Sequence, residues 1–226
     1  VKAKVITYGK DNTADWYPTD VTFNDLGHAT YTVNHKGEKI AQVELSIPGM
    51  HNVYNSLSAF ALATCYGVAT EAIVKGIKNF TGTDRRFQFK GQFNGVNVID
   101  DYAHHPTEIQ ATINSARGTK LNKLWIMFQP HTYTRTYNHL DDFAKVLSEA
   151  DHVILLDIYA SREKDTGLVS SKDLRDKIEA LGGVVTYCPT FNDAEKYAVD
   201  NCRKGDMLIT MGAGDVYKIG EKLVSK

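Results

Sequence analysis

Through residue 47 the apolar positions alternate with polar ones. In "VKAKVIT", Val1, Ala3 and Val5 fall on one side and Lys2 and Lys4 on the other, which predicts a strand wet on one face. Val21 and Phe23, then Tyr31 and Val33, then Val43, Leu45 and Ile47 repeat that period, with "NDLG" and "NHKGEK" supplying turn residues between them. The pattern predicts an antiparallel meander. After Pro48-Gly49 the period lengthens. Val53, Leu57, Phe60, Ala61 and Thr64 share one side of a helix that stops at Gly67, and a second helix capped by Thr70 buries Ile73 and Ile77.

From about Thr81 short apolar runs alternate with helical patterns. "VNVI" (96–99) leads into a helix from Pro106, "LWIMF" (124–128) into one at Leu140–Leu147, and "HVILLD" (152–157) into one opening at Ser170 or Ser171. "VVTYC" (184–188) leads into a helix from about Asn192, and "MLIT" (207–210) into a last one from about Asp215. This rhythm predicts βαβ units, hence an α/β fold with a mostly parallel sheet and helices on both faces. The change of rhythm falls within "FTGTDRRF", which divides the chain into residues 1–81 and 82–226.

Composition narrows the class without fixing it. The 226 residues carry 26 basic and 27 acidic side chains, a formal charge of −1, so bulk electrostatics points to neither a nucleic acid nor a membrane. Cys65, Cys188 and Cys202 are far apart and lack C-x-x-C spacing, which argues for a reducing compartment and against a disulfide framework or a cysteine zinc site. No apolar run has the length of a membrane span and no basic-then-apolar leader opens the chain, which begins at Val1 and reads as a piece of a longer protein.

Open α/β sheets bind ligands beyond the carboxyl ends of their strands. Asp100, Asp101, Tyr102, His104 and His105 follow "VNVI" directly, and Pro106 then opens a helix whose free N–H groups attract anions. The next strand ends in "QPHTYTRT" (129–136), adding His131 and Arg135, and the third in "DIYASREKD" (157–165). The opposite strand ends carry ordinary turns such as "GTKLNK" and "LGG". This asymmetry marks a functional edge, although His105 alone reads as a surface residue and Asp100 as a carboxylate satisfying backbone donors. Asp101, His104 and His131 offer nitrogen and oxygen ligands to a metal, but no local ligand spacing supports one.

Three further stretches matter. "GAGDVYKIG" (212–220) follows a strand and opens a helix, yet Tyr217 stands where a dinucleotide fingerprint needs its third glycine, so it reads as a tight turn. In "PGMHNVYN" (48–55), Asn52 or His51 stands where a helix cap belongs, and Asn52 and Asn55 share a face. "DRRF" (84–87) places two arginines at the division of the chain, suited either to phosphate or to simple exposure. No G-x-x-x-x-G-K-[ST] occurs, so this stretch has no phosphate-cradling loop of that kind and by itself is expected neither to hydrolyse ATP nor to form an amide.

Taken in order and spacing, "PGMHNVYN", "GTDRRFQ", "DDYAHHPTE", "FQPHTYTRT" and "GAGDVYKIG" resemble the later part of Mur ligases along nearly the whole chain. The resemblance implies the end of a central ATPase domain over residues 1–81 and a Rossmann-like domain over 82–226, with the phosphate loop in a preceding segment. It implies cytoplasmic, ATP-dependent chemistry in peptidoglycan synthesis: the lactyl carboxylate of UDP-N-acetylmuramate is activated as an acyl phosphate with ATP and Mg²⁺, and the amine of L-alanine attacks it. Mg²⁺ would be held mostly by that preceding segment. Matched position by position, His51, Asn52 and Asn55 fall near adenine, Arg86 at the ATP phosphates and Asp101 at the ribose. Tyr102, His104, His131 and Arg135 surround the amino-acid end, with Arg86 and His104 closest to the chemistry. Some members carry arginine right after the histidine of "QPH"; Thr132 stands there in this chain, which shifts carboxylate recognition toward Arg135 and the histidines. Alternative readings are a ligase that attaches a whole tripeptide to the same sugar, a non-catalytic nucleotide-binding module, and a metallohydrolase.

Overall fold

The structure is a computed structural model that describes residues 5–225. The chain divides into two compact units, one comprising Val1–Gly82 with Gly118–Lys120 and the other Thr83–Arg117 with Leu121–Lys226.

The first unit is an antiparallel sheet of β1 (Trp16–Phe23), β2 (His28–His35) and β3 (Glu38–Pro48), in that order, with α1 (Met50–Cys65) and α2 (Thr70–Asn79). Trp16, Tyr31, Val33, Val43 and Leu45 from the strands and Val53, Leu57, Phe60, Ala61 and Ile73 from the helices form its core. Burial raises the Tyr31 hydroxyl to about 12, and the hydroxyl meets Ser56 Oγ at 2.8 Å. The expected strand at the start of the chain falls mostly outside the described residues. Val1–Lys4 lie outside the described residues, Val5–Thr7 are not strand, and Tyr8 makes only an isolated bridge to Trp16. Among the described residues the first strand, β1, begins at Trp16. A bulge between Thr19 and Thr22, with Asp20 at φ 55°, then shifts its inward face by one residue. Phe23, expected inside, does pair with the buried Ala29 but stands at the strand's end and is exposed. Thr70 is the first residue of α2 and not its cap, which is Ala69.

The second unit holds a six-stranded sheet in the order β4-β5-β9-β6-β7-β8, formed by β4 (Gln88–Phe93), β5 (Val96–Asp101), β6 (Leu124–Phe128), β7 (His152–Leu155), β8 (Val185–Tyr187) and β9 (Met207–Met211). Strands β5 to β9 are parallel, and β4 pairs antiparallel with β5 at the edge. Alternation along β6 shows how two faces are covered. Leu124, Ile126 and Phe128 pack with residues of α3 (Pro106–Arg117), α5 (Leu140–Leu147) and α6 (Ser171–Ala180). Trp125 and Met127 pack with residues of α7 (Phe191–Asn201) and α8 (Tyr217–Val224) on the other face. A short helix, α4 (Tyr133–Asn138), lies between β6 and α5. The expected α/β fold with a doubly wound, mostly parallel sheet after an antiparallel meander is observed; β4 and α4 are additions to it. The order also sets the site, because the last strand, β9, inserts between β5 and β6. Asp101, Met211 and Phe128 stand side by side in register, and the loops that follow these three strands are neighbours.

Candidate active site

Asp100 and Asp101 are the last two residues of β5, and both are buried. Side chains alternate across a strand, so they meet different surroundings. Asp100 Oδ2 accepts from Arg85 Nε at 3.0 Å and Oδ1 from Thr210 Oγ1 at 2.9 Å. Arg85 Nη2 donates to the carbonyls of Gly212 at 2.7 Å and Gly214 at 3.2 Å, and its guanidinium lies between the rings of Tyr102 and Tyr217, 4.8 and 4.6 Å from their centroids. This arginine is spent on holding the strand ends together. Asp101 is the carboxylate that satisfies backbone donors, a role expected of Asp100: Oδ1 accepts from Ala103 N at 2.7 Å and Oδ2 from Phe87 N at 2.9 Å. Burial raises Asp101 above the usual carboxylate range, opposed by those amides, by Thr112 and by the charge of Arg86.

Arg86 differs from its neighbour. Arg85 at φ 59° and Phe87 at φ 46° flank it, a left-handed geometry that costs side-chain-bearing residues energy, and the Arg86 side chain is 53% exposed. Its Nη1 lies 3.8 Å from Glu108 Oε1, and its guanidinium 5.7 Å from the Tyr102 centroid. "DRRF" thus combines one fixed arginine with one available to an anion.

The loop after β5 places His104 between fixed acceptors. Its Nδ1 lies 2.9 Å from the Tyr102 carbonyl and 3.4 Å from Glu108 Oε2, and its backbone N–H donates to that same oxygen at 3.0 Å. Both neighbours of Nδ1 only accept, so Nδ1 carries a proton. Burial works to raise Glu108, but the His104 and His105 amides and the charges of His104 and Arg86 outweigh it, and the carboxyl is held below its usual range. His105 is half-buried, with Nδ1 2.9 Å from Thr107 Oγ1 and its ring against His139 at 4.8 Å.

The loop after β6 supplies the second imidazole. Tyr159 N donates to the Pro130 carbonyl and Thr132 N to the Tyr159 carbonyl, at 2.8 and 2.9 Å, which brings the His131 and Tyr159 rings into a stack at 5.6 Å. Arg135 Nη1 lies 3.0 Å from His131 Nδ1. A guanidinium only donates, so Nδ1 of His131 accepts and a neutral ring keeps its proton on Nε2. Burial, Arg135 and His104 push His131 below its ordinary value, with Glu163 acting the other way. Thr132, at φ 66°, caps α4 by accepting from Arg135 N at 3.4 Å. The His104 and His131 centroids are 6.1 Å apart, and those of Tyr102 and His104 5.3 Å. Two adjacent loops therefore gather Tyr102, His104, His131 and Arg135, while Arg86 approaches through Glu108.

The turn after β9 comes close to this cluster. A Cβ on Gly212 would lie 2.6 Å from the Gln129 carbonyl, and one on Gly214 would lie 2.5 Å from Gln129 Oε1, so neither position tolerates a side chain unless the structure shifts. Gln129 Oε1 is buried and has no hydrogen-bond partner among the described residues. Expected from the sequence as a tight turn, the segment also supplies the two carbonyls that anchor Arg85.

His51, Asn52 and Asn55 lie on α1 in the first unit. The expected cap is not Asn52 or His51 but Gly49. Asn52 is the third helical residue, and its Nδ2 donates back to the Pro48 carbonyl at 2.7 Å while its Oδ1 accepts from Asn55 Nδ2 at 3.1 Å. From the sequence Arg85 stood out only as one of a pair with Arg86, and Glu108 and Tyr159 did not stand out individually. Only Glu108 had a local signal, its four-residue spacing from His104. Among the described residues no group of three or more His, Cys, Asp or Glu side chains is arranged to hold a metal, and no helix is long and apolar enough to cross a membrane.

A six-stranded α/β sheet with histidines, arginines and carboxylates gathered at adjacent strand ends defines a domain of the doubly wound class. Residues 85–214 match the model of the Mur ligase glutamate ligase domain, and residues 1–63 that of the Mur ligase middle domain. The chain belongs to the Mur ligase family. It is 51% identical over 223 residues to the UDP-N-acetylmuramate–L-alanine ligase of Agathobacter rectalis, covering 99% of this chain and 49% of that protein. It is 45% identical over 226 residues to the ligase of the same name from Caldanaerobacter subterraneus, covering 100% of this chain and 49% of that one. The chain thus spans about half the length of these curated relatives. Among solved structures, the UDP-N-acetylmuramate-alanine ligase of Thermotoga maritima superposes with a TM-score of 0.82 at 26% identity over 97% of this chain and 47% of that one. A murein peptide ligase from Psychrobacter arcticus superposes with a TM-score of 0.67 at 27% identity over 97% of this chain and 45% of that one.

Proposed function

We propose that this chain is part of an ATP-dependent, cytoplasmic ligase of peptidoglycan synthesis that joins L-alanine to UDP-N-acetylmuramate. In this reading residues 1–81 end the central ATPase domain and residues 82–226 form the amino-acid-binding domain. The observation that carries it is 51% identity over 99% of the chain to a ligase of that name, combined with an anion-seeking cluster at the ends of β5 and β6. ATP converts the lactyl carboxylate to an acyl phosphate; the amine of alanine attacks the carbonyl carbon and inorganic phosphate leaves. The residues here would bind and orient. Arg135 can hold the alanine carboxylate, with His131, His104 and Tyr102 around it, and Arg86 the transferring phosphate. His51, Asn52 and Asn55 would meet adenine. Asp101 would meet the ribose through lone pairs left over from its two backbone bonds. The described residues present no cluster that fits Mg²⁺, so no step is assigned to it here.

The test uses the complete natural protein that contains this chain. Purified and given ATP, Mg²⁺, UDP-N-acetylmuramate and amines in competition, it should release phosphate with L-alanine and ignore the tripeptide. Preference for the tripeptide would move the assignment to the recycling reaction. Absence of turnover with any amine, despite nucleotide binding, would favour a binding module. The 51% and 45% identity to ligases named for L-alanine favours alanine, as does the higher TM-score to the Thermotoga alanine ligase, although identity to that protein and to the Psychrobacter peptide ligase is nearly equal.

A further inference from the structure

We infer that Glu108 is a positioning residue, which holds His104 with Nδ1 protonated so that the Nε2 lone pair takes a proton from the incoming ammonium group. This inference rests on the ligation proposed above. An ammonium group cannot attack an acyl phosphate until it loses a proton, and a neutral imidazole is a natural acceptor near neutral pH.

Glu108 Oε2 serves both the backbone N–H of His104, at 3.0 Å, and the ring Nδ1, at 3.4 Å, so one oxygen sets both the loop and the ring. The Tyr102 carbonyl, 2.9 Å from Nδ1, reinforces the same tautomer. Among the described residues no protein hydrogen bond reaches Nε2 of His104. Across the gap His131 has the opposite tautomer, because Arg135 donates to its Nδ1 at 3.0 Å. The two rings therefore offer one acceptor nitrogen and one N–H donor at neighbouring strand ends, a set that can receive an ammonium proton on one side and bind a carboxylate oxygen on the other. Other charges bear on His104. Arg86 sits 3.8 Å from the second oxygen of Glu108 and competes for its charge, and Arg135 and Glu163 act through His131. An anion that draws Arg86 away leaves the Glu108 carboxylate to His104 alone.

In the step itself, Nε2 of His104 gains the proton of the ammonium group, and the freed nitrogen lone pair forms the C–N bond to the acyl carbon. The bond between the acyl carbon and the bridging oxygen breaks, phosphate departs with that electron pair, and the nitrogen gives its second proton to the departing phosphate, leaving a neutral amide. The histidine proton then passes to solvent.

Three measurements decide it. In this chain, nitrogen-correlated NMR of the histidine rings should show His104 as the Nδ1–H tautomer and His131 as the Nε2–H tautomer. Glu108→Ala should move His104 toward a mixture of tautomers. In the complete enzyme, Glu108→Gln keeps an oxygen for the His104 amide but loses the charge. Its kcat with alanine should fall about 10-fold to 100-fold at neutral pH and recover as pH rises and free amine becomes abundant. Acyl phosphate formation, trapped with hydroxylamine, should fall less than alanine use does, because there Glu108 acts only through its contact with Arg86. An Nε2–H tautomer for His104 in the unaltered chain, or a loss of kcat equal at all pH values, would overturn the inference. Trapping that succeeds while alanine is not used by the unaltered enzyme would instead overturn the substrate assignment and leave the NMR result standing.

Discussion

Both edges of the six-stranded sheet carry polar side chains but put them to different use. At the amino ends of the strands the groups close on one another. Asp206 accepts from Trp125 Nε1 and Arg203 N, both at 2.9 Å, and Asp151 accepts from Leu124 N at 2.7 Å and Arg117 Nη1 at 2.8 Å. His152 stacks on Trp125 at 4.4 Å and meets Thr186 Oγ1 at 3.0 Å. At the carboxyl ends Arg85, Asp100 and Asp101 close on one another's surroundings as well, but three groups are fixed at one end only: His104 and His131 are each held through Nδ1, and Arg86 is half in solvent. Closed networks rigidify a fold, whereas half-anchored groups are oriented for something absent.

The largest expected effect divides the two arginines of the carboxyl edge. Arg85→Ala leaves the buried Asp100 carboxylate without its cation and should cost about 3 kcal/mol in denaturant unfolding, whereas Arg86→Ala should stay within about 0.5 kcal/mol. Equal costs would erase the distinction between anchoring and available groups. Next, Asp206→Ala strands the buried Trp125 N–H and should cost on the order of 2 kcal/mol, with kcat and KM of the complete enzyme unchanged. A loss of activity without a loss of stability would mean that the amino edge is also functional.

A smaller effect appears on changing pH. Burial is the first cause that depresses both His131 and His152 below the ordinary 6.5, so the folded state binds fewer protons than the unfolded chain in the window beneath that value. Stability contributed by these neutral rings is present above about 6.5 and is lost as pH falls through the depressed folded values. Unfolding midpoints should decline over that window, and His152→Gln should flatten part of the decline. A midpoint that rises on acidification would reverse the sign. The smallest effect belongs to Thr132→Ala, which removes one long cap bond from a six-residue helix and should cost less than about 1 kcal/mol.

Much of this was legible in the residues, because period reports burial directly. The meander, the helices on both sheet faces and the polar carboxyl edge all follow from apolar spacing. Elements whose burial is irregular were caught only in part, as β1 was at Val21 and Phe23, or not at all. β1 carries Pro18 and a bulge, and β4 carries Gly91 at φ 139° beside a register shift, so neither keeps a clean alternation. "YTRTYN" has no apolar stripe, yet it forms α4 under a threonine cap. Within the site the sequence named the residue types but not how each is engaged. It treated Arg85 and Arg86 as a pair and gave Asp100 the backbone role that Asp101 fills. Those assignments depend on which way a side chain leaves the strand end, and the left-handed residues 85 and 87 set that locally.

The most direct test concerns the loop after β6. A guanidinium can grip a carboxylate through two donors, while the Thr132 hydroxyl already accepts from a backbone N–H. In the complete enzyme with alanine varied, Arg135→Ala should raise KM for alanine by about 10-fold to 100-fold, the loss of a charge-assisted contact, with KM for ATP nearly unchanged. Thr132→Ala should change either constant by less than about threefold. A large Thr132 effect beside a negligible Arg135 effect would show that this edge does not hold the amino acid as its geometry implies.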